Sequence, residues 1–202
     1  MVLLINGSPN KDGCTYTALM EVASALEANG IGTEVFQIGN GAQRGCIGCG
    51  KCREIGKCVF DGMCNELAEK IKAADGIVVG SPVYYAGPNG ALCALLDRVF
   101  FSSSGGFKHK PAACVVSCRR GGASSSYDRL NKYFTISQMP VVSSQYWNAV
   151  HGNEPDEVRR DLEGLQIMRT LGNNMAWLIK NIKAGGTLPE TENPRQWTNF
   201  ID

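Results

Sequence analysis

The cysteines are the residues of this sequence whose type and spacing most clearly indicate chemistry, because five of the nine fall within nineteen residues. These five are Cys46, Cys49, Cys52, Cys58 and Cys64. A thiolate can bind a metal ion, hold an iron–sulfur cluster or undergo redox chemistry. In a secreted protein the same density would indicate disulfides, but the opening residues MVLLINGSP contain neither a basic segment nor a cleavage site. We therefore expect a cytoplasmic protein whose cysteine segment does metal, cluster or redox chemistry.

A loop able to hold a phosphate is predicted at residues 7–15, GSPNKDGCT, between an apolar run and an amphipathic segment. Backbone N–H groups of such a loop converge with the N-terminus of the following helix, and the hydroxyl groups of Ser8 and Thr15 could complete the site. The spacing matches neither the G-x-G-x-x-G of dinucleotide-binding domains nor the G-x-x-x-x-G-K-[ST] of NTPases, which disfavours both. An ordinary polar turn with a helix cap is the alternative.

Two later loops carry aromatic and cationic residues. Residues 81–90 place Tyr84 and Tyr85 among two prolines and two glycines, a composition that suits a stiff loop presenting apolar rings to a planar ligand. Residues 117–123 combine Arg119 and Arg120 with two glycines, and so offer cations and backbone amides. Tyrosines buried in the core and a solvated basic turn are the alternatives.

The composition favours a single globular domain. The chain has 202 residues, of which 44% are hydrophobic and 19% charged, and this excludes disordered and collagen-like classes. The formal net charge is only +1, so no overall field attracts nucleic acid or an anionic membrane. No apolar run approaches the roughly 18 residues that a membrane span needs. Any anionic ligand must therefore be held by local contacts.

Short apolar runs alternate with amphipathic segments along the chain. Strands are predicted at residues 2–5, 33–38, 76–80, 112–117 and 140–144, and helices after the first loop and at 65–74, 91–101, 124–137 and 155–184. This alternation indicates an α/β fold with a doubly wound parallel sheet, whose ligands bind at the carboxyl ends of the strands. We predict one domain over residues 1–186, with the cysteine segment 39–63 inserted, and a tail over 187–202.

These loops together resemble the flavodoxin-like NAD(P)H-dependent FMN reductase family. The resemblance rests on GSPNKDGCT, on SPVYY followed by Asn89-Gly90 and Leu96-Asp97-Arg98, and on the Arg-Arg-Gly-Gly turn, and it extends to about His151. It implies bound FMN and a five-stranded parallel sheet of order 2-1-3-4-5. The implied phosphate contacts are Ser8, Asn10, Gly13, Cys14 and Thr15; those of the isoalloxazine loop are Pro82, Val83, Tyr84, Tyr85 and Gly87; those of the pyrimidine edge are Cys118, Arg119, Arg120, Gly121 and Gly122. Many family members carry Asn at the position of Cys14, where the backbone amide is the expected contact.

The cysteine segment has a resemblance of its own. Cys46-Ile47-Gly48-Cys49-Gly50-Lys51-Cys52, with Cys58 after five further residues, is similar to the compact motif of iron–sulfur flavoproteins, a branch of the same superfamily. That resemblance implies a [4Fe–4S] cluster on Cys46, Cys49, Cys52 and Cys58, and four thiolates on a glycine-rich loop suit a cuboidal cluster. Zinc on the same cysteines, and free thiols lining a substrate pocket or a subunit interface, are the alternatives. Cys64 is expected to pack in the core.

The resemblance implies an FMN-dependent oxidoreductase in which NADH or NADPH reduces FMN, and FMN reduces a quinone, flavin, nitro or azo compound. The chemistry would belong to FMN, with no catalytic side chain. An electron carrier with a [4Fe–4S] cluster is the alternative function, and a sensor based on cysteine oxidation is the third. His109 and His151 are expected to be bystanders, since no Cys–His arrangement is visible. A homodimer or homotetramer is also implied.

Overall fold

The computed structural model describes residues 1–103, 105–190 and Thr198. Its elements in chain order are β1 (Val2–Asn6), α1 (Cys14–Ala28), β2 (Thr33–Gln37), α2 (Cys52–Ile55), α3 (Met63–Ala73), β3 (Gly76–Tyr84), β4 (Gly87–Pro88), α4 (Gly90–Ser102), β5 (Ala112–Cys118), α5 (Ala123–Ile136), β6 (Ala149–His151), α6 (Pro155–Arg160) and α7 (Leu162–Ala184). Five strands run parallel in the order β2-β1-β3-β5-β6, and β4 pairs antiparallel with β3. The carboxyl ends of the parallel strands therefore share one edge of the sheet.

The side chains of β1 show how the sheet divides the core into two layers. Leu3 and Ile5 pack on one face with helices α3, α4 and α5, while Val2 and Leu4 pack on the other with α1 and α7. All four side chains are fully buried. Because both faces of the sheet are covered, this strand has an unbroken apolar sequence instead of an alternating one.

The predicted α/β fold with a parallel sheet is confirmed, but the sheet has six strands instead of five. The additional strand, β4, lies inside the predicted loop 81–90. The third predicted strand also ends too early, because β3 continues past residue 80 to Tyr84.

The fifth predicted strand, at residues 140–144, is wrong. Only Val141 forms a bridge there, to Ala112, and the edge strand of the sheet is β6. Ser144 instead donates a hydrogen bond of 2.7 Å to the carbonyl of Ile167 in α7. The polar residues after the bridge are thus held by α7, and the chain returns to the sheet only at β6.

The single helix predicted over residues 155–184 is also wrong, because it breaks at Asp161 into α6 and α7. Asp161 has a non-helical ψ of 77°, and its carboxylate accepts a hydrogen bond of 2.9 Å from the N–H of Gly164 as the N-cap of α7. The apolar periodicity continues across the break, so it does not reveal the second helix start.

In the part of the chain that the structure describes, no helix is both long and apolar enough to cross a membrane. The single domain over residues 1–186 stays a prediction. Most of the predicted tail, 187–202, lies outside the described residues.

Candidate functional site

The first predicted loop joins β1 to the N-terminus of α1. Gly13, the N-cap of α1, has no side chain with which to cap the helix, and the first turn contains no acidic residue. The N–H groups of this turn are therefore available to a phosphate. The Oγ of Ser8 accepts a hydrogen bond of 3.1 Å from the N–H of Asn10, which folds the loop back on itself.

Three amide side chains that the sequence analysis did not assign to a site hold this loop in place. Asn6, buried at the end of β1, accepts a hydrogen bond of 3.2 Å from the N–H of Ser8. Gln37, at the end of β2, donates one of 2.7 Å to the carbonyl of Ser8. Asn89 donates one of 2.7 Å to the carbonyl of Gly7. A polar residue directly after an apolar run, as at Asn6, is the sequence signal that could have found the first of them.

The second predicted loop is the end of β3 followed by a tight hairpin. Tyr84 of β3 lies opposite Gly87 of β4, and Tyr85 and Ala86 form the turn between them. Both turn residues have positive φ, 50° and 57°, as a two-residue type I′ turn requires. Residues other than glycine seldom adopt this conformation, so the surrounding structure must hold it. The hairpin presents the fully exposed ring of Tyr85 at the carboxyl edge of the sheet.

The third predicted loop packs against that hairpin. Gly122, the N-cap of α5, has a φ of +87°, and a Cβ atom at this position would lie 2.6 Å from the Cα of Ala86 and 2.9 Å from Cγ1 of Val83. The hydroxyl of Ser125 donates a hydrogen bond to the carbonyl of Ala86. Only glycine allows the two loops to approach this closely.

The first loop contacts the other two. The N–H of Gly7 donates a hydrogen bond of 2.8 Å to the carbonyl of Gly80 in β3. The hydroxyl groups of Thr15 and Ser117 lie 2.8 Å apart, joining α1 to the end of β5. Among the predicted flavin contacts, Ser8, Thr15 and Cys118 are buried; Gly13, Cys14, Pro82, Val83, Gly87 and Gly122 are half-buried; Asn10, Tyr84, Tyr85, Arg119, Arg120 and Gly121 are exposed. All three loops meet at one edge of the sheet.

The expectation that His151 has no cysteine partner is wrong. Its Nδ1 lies 3.4 Å from the Sγ of Cys118, and its backbone N–H donates a hydrogen bond of 2.7 Å to the carboxylate of Asp161. Burial raises the pKa of the Cys118 thiol, and the charge of Asp161 raises it further. These contacts join the ends of β5 and β6 beside the third loop. Cys118 and His151 are 33 residues apart, so no local spacing reveals the pair.

The four cysteines of the compact motif line a single pocket. Its walls are formed by Cys46, Ile47, Cys49, Gly50, Cys52, Cys58, Val59, Phe60, Arg98, Phe101 and Ser102. Gly48 and Gly50 have positive φ, 65° and 72°, so the chain turns sharply between the first three cysteines. As the side chains stand, no three ligating residues within the described residues are grouped closely enough to hold a metal ion. Cys64 is buried in the core, as predicted.

Cys58 is the cysteine of this pocket with the most contacts outside the motif. The Nε of Arg98 donates a hydrogen bond of 3.4 Å to its Sγ. Burial opposes ionisation of the Cys58 thiol, but the hydrogen bond from Arg98, a backbone hydrogen bond at Phe60 and the guanidinium charge outweigh it, so the pKa lies below its usual value. A thiolate, the form that binds metals, is thereby favoured at this position.

The two candidate sites lie along one helix. Asn89 caps α4 at the carboxyl edge of the sheet, where its Oδ1 accepts a hydrogen bond of 3.0 Å from the N–H of Ala91. Arg98, on the same helix, lines the cysteine pocket. Nine residues at the helical rise of 1.5 Å separate them by about 14 Å.

The residues present suit two different groups. At the carboxyl edge, an uncapped helix N-terminus suits a phosphate and the adjoining hairpin suits a planar ring. In the pocket, four soft thiol ligands on a tightly turning loop suit an iron–sulfur cluster.

Comparison with known proteins gives matches along most of the chain. The family described as NADPH-dependent FMN reductase matches residues 1–154. An iron–sulfur flavoprotein of Methanocaldococcus jannaschii is 33% identical over 90% of this chain and 98% of its own length. An NADPH azoreductase of Bacillus sp. (strain OY1-2) is 28% identical over 90% of this chain and 87% of its own length.

Solved structures match the fold. RosB, solved with a bound 8-demethyl-8-formylriboflavin-5'-phosphate intermediate, superposes with a TM-score of 0.74 at 14% identity, over 100% of this chain and 95% of that chain. An archaeal flavodoxin superposes with a TM-score of 0.60 at 14% identity, over 89% of this chain and 98% of that chain. Both share the flavodoxin-like arrangement of sheet and helices.

Proposed function

The chain belongs to the NADPH-dependent FMN reductase family, and on that premise we propose that it is an FMN-dependent oxidoreductase with a second redox centre, a [4Fe–4S] cluster. The cluster would be held by the thiolates of Cys46, Cys49, Cys52 and Cys58. The observation that carries this proposal is that all four cysteines line one pocket. The likeness to a protein named an iron–sulfur flavoprotein over nearly its whole length supports it.

FMN binding is assigned to the three loops at the carboxyl edge of the sheet. The phosphate would be held by the first loop, through Ser8, Asn10, Gly13, Cys14 and Thr15. The isoalloxazine would lie against Pro82, Val83, Tyr84, Tyr85 and Gly87, with its pyrimidine edge near Cys118, Arg119, Arg120, Gly121 and Gly122. Because the hydroxyl of Thr15 already contacts Ser117, we assign its contribution to its backbone N–H.

The protein's own groups bind and orient these ligands. N–H groups at the uncapped end of α1 offer hydrogen bonds to an anion, and the constrained hairpin holds apolar surface against a planar ring. The exposed cysteines Cys46 and Cys49 leave one side of the pocket open to a redox partner. When bound, FMN would supply hydride or single-electron chemistry and the cluster single-electron transfer.

Iron, acid-labile sulfide and FMN content of protein purified without oxygen tests this proposal. We expect about one FMN with about four iron and four sulfide atoms per chain. The Cys49→Ser variant should lose the iron and keep the FMN, whereas Cys93→Ser, which removes a half-buried thiol outside the pocket, should keep both. FMN with one zinc, or with no metal after reconstitution, would contradict the cluster and leave a simple flavin reductase.

Reduction by a nicotinamide nucleotide is a second candidate function, favoured by the two exposed arginines of the third loop. Arg119 and Arg120 lie beside the proposed pyrimidine edge, where a guanidinium could pair with the 2′-phosphate that NADPH carries and NADH lacks. The likeness to a protein named an NADPH azoreductase agrees with this. NADH or NADPH would be the electron donor, and a quinone, flavin, nitro or azo compound the acceptor.

Steady-state kinetics with NADPH, NADH and an azo dye tests this second function. The Arg119→Ala and Arg120→Ala variants should raise KM for NADPH more than for NADH, whereas Lys180→Ala, an exposed charge on α7, should change neither. If FMN-loaded protein oxidises neither nucleotide, the electron-carrier function remains. A homodimer or homotetramer and a cytoplasmic location are further parts of the proposal, and light scattering tests the first.

A further inference from the structure

Arg98 is a cation buried within the fold. Its side chain is 6% exposed on the inner side of α4. Within the described residues, no carboxylate lies within ion-pair distance of its guanidinium. Burying a charge is costly unless it is paired and hydrogen-bonded, and arginine is seldom buried without a partner. The position of Arg98 therefore calls for an anion.

The contacts of Arg98 show where that anion would lie. Its Nε donates a hydrogen bond of 3.4 Å to the Sγ of Cys58, and its Nη2 donates one to the carbonyl of Phe60. The guanidinium also lies over the ring of Phe60, 5.7 Å from the ring centre. The carbonyl and the ring of Phe60 are neutral groups, so they do not balance the charge of the guanidinium. Its remaining contact is the Sγ of Cys58, one of the four cysteines that line the pocket.

Other cations surround the same pocket. The guanidinium of Arg44 lies 4.5 Å from the centre of the Phe60 ring, and that of Arg53 lies 6.0 Å from the centre of the Phe101 ring. Both rings line the pocket, and no lining residue is acidic. Arg44 and Arg53 are exposed, where water and salt screen their charges, whereas Arg98 is buried and contacts a sulfur of the pocket, so Arg98 acts most directly on negative charge there.

We propose that Arg98 positions the Cys58 thiolate and sets the reduction potential of the cluster in this pocket. This inference rests on the proposed function, because it concerns the cluster assigned there. Reduction adds one electron and no proton, so the negative charge next to the guanidinium increases. A hydrogen bond and a positive charge at a ligating sulfur stabilise the more negative state and raise the reduction potential. Arg98 is a positioning residue, which acts through Cys58.

The test compares the reduction potentials of reconstituted clusters by EPR-monitored titration with dithionite. Arg98→Met removes the charge and both hydrogen bonds at similar length. We expect the equilibrium constant for one-electron reduction to fall about tenfold, which corresponds to about 59 mV toward more negative potential. Arg53→Met is the matched control, since it removes the same charge from an exposed position without a contact to sulfur, and its potential should stay close to that of the unchanged protein.

The outcomes separate this inference from the proposed function. If the unchanged protein takes up no cluster, both fail. If it takes up a cluster and Arg98→Met leaves the potential unchanged, or Arg53→Met lowers it equally, only the role of Arg98 is overturned. Should Arg98→Met not fold or not load, Arg98→Lys decides. Lysine keeps the charge but lacks the planar fork for both hydrogen bonds, so its potential must fall below that of the unchanged protein, and an equal potential overturns the inference.

Discussion

Asn65 makes two hydrogen bonds to the backbone of Cys58: its Oδ1 accepts from the N–H and its Nδ2 donates to the carbonyl, each at 3.0 Å. Asn65 lies in the first turn of α3, so this pairing fixes the last cysteine of the compact motif to a packed helix. The first three cysteines lie on a loop and the short helix α2. One cysteine of the pocket is therefore fixed to a packed helix, whereas the other three lie on the loop and the short helix α2.

Replacing Asn65 should weaken the hold of the pocket on a cluster. In Asn65→Ala, both backbone groups of Cys58 lose their partner, and groups that orient a ligand typically change metal affinity by about 10- to 100-fold. We expect iron to be lost to a chelator at least about tenfold faster. Asn181→Ala, which removes an exposed amide from the surface of α7, should release iron at the original rate. Equal rates for all three proteins would show that Asn65 has no such role.

Asn89 should affect both FMN affinity and stability, because its side chain joins the first loop to α4. Asn89→Asp keeps the acceptor for the N–H of Ala91 but loses the hydrogen bond to the carbonyl of Gly7. Asn89→Ala loses both. We expect weaker FMN binding in both variants by flavin fluorescence, and an additional loss of about 1 kcal/mol in the free energy of unfolding in the alanine variant. FMN affinity unchanged in both would contradict the scaffolding role.

Gly122 and its neighbour Gly121 allow a controlled comparison, because they differ in backbone conformation and in the space around the Cβ position. At Gly122, a φ of +87° and the close approach of Ala86 should make Gly122→Ala destabilising by about 1 to 3 kcal/mol. Nothing lies within 4 Å of a Cβ at Gly121, and its φ is not positive, so Gly121→Ala should change stability by less than about 0.5 kcal/mol. Urea unfolding of the two variants measures the difference. Similar losses in both would mean that the two loops do not need their close contact.

Most of the fold can be predicted from the sequence, because its strands are covered on both faces. Residues 2–5 form an unbroken apolar run since no side chain of β1 reaches solvent. The edge strand of the sheet is harder to predict. The first half of residues 140–144 is as apolar as a strand, yet only Val141 forms a bridge to the sheet. At the edge of a sheet, hydrogen bonds to a neighbouring helix decide where pairing begins, and these depend on tertiary contacts.

Only those parts of the candidate sites that form continuous sequence motifs can be predicted from the sequence. The first loop and the compact cysteine motif are continuous in sequence, so the sequence alone predicts which of their residues would bind a ligand. The contact between Arg98 and Cys58 spans 40 residues and arises because α4 packs beside the cysteine segment. No periodicity encodes such a pair, since it depends on the order of strands in the sheet.

Alkaline pH should destabilise the protein through its buried thiols. Burial raises the pKa of Cys114 above its usual value, so the thiol ionises more readily in the unfolded chain. Its contribution to stability is complete below the usual thiol pKa, about 8.5, and is lost as pH rises above it. We expect the free energy of unfolding to fall from pH 9 to pH 11 in urea titrations of reduced protein.

The Cys114→Ala variant isolates this effect. It should flatten the pH dependence by up to about 1.4 kcal/mol per pH unit, the value for one proton. Measurements at pH 7, where the thiol is neutral in both states, separate the cost of the cavity from the titration. An unchanged slope above pH 9 would show that Cys114 does not ionise on unfolding.

The most direct test of two redox centres on one chain is an anaerobic reductive titration of the reconstituted protein, followed by visible absorption and EPR. FMN accepts two electrons and a [4Fe–4S] cluster accepts one, so we predict about three electrons per chain, with a flavin bleach and an EPR signal from the reduced cluster. An end point of about two electrons, with no EPR signal from iron, would contradict the account and leave FMN as the single redox centre.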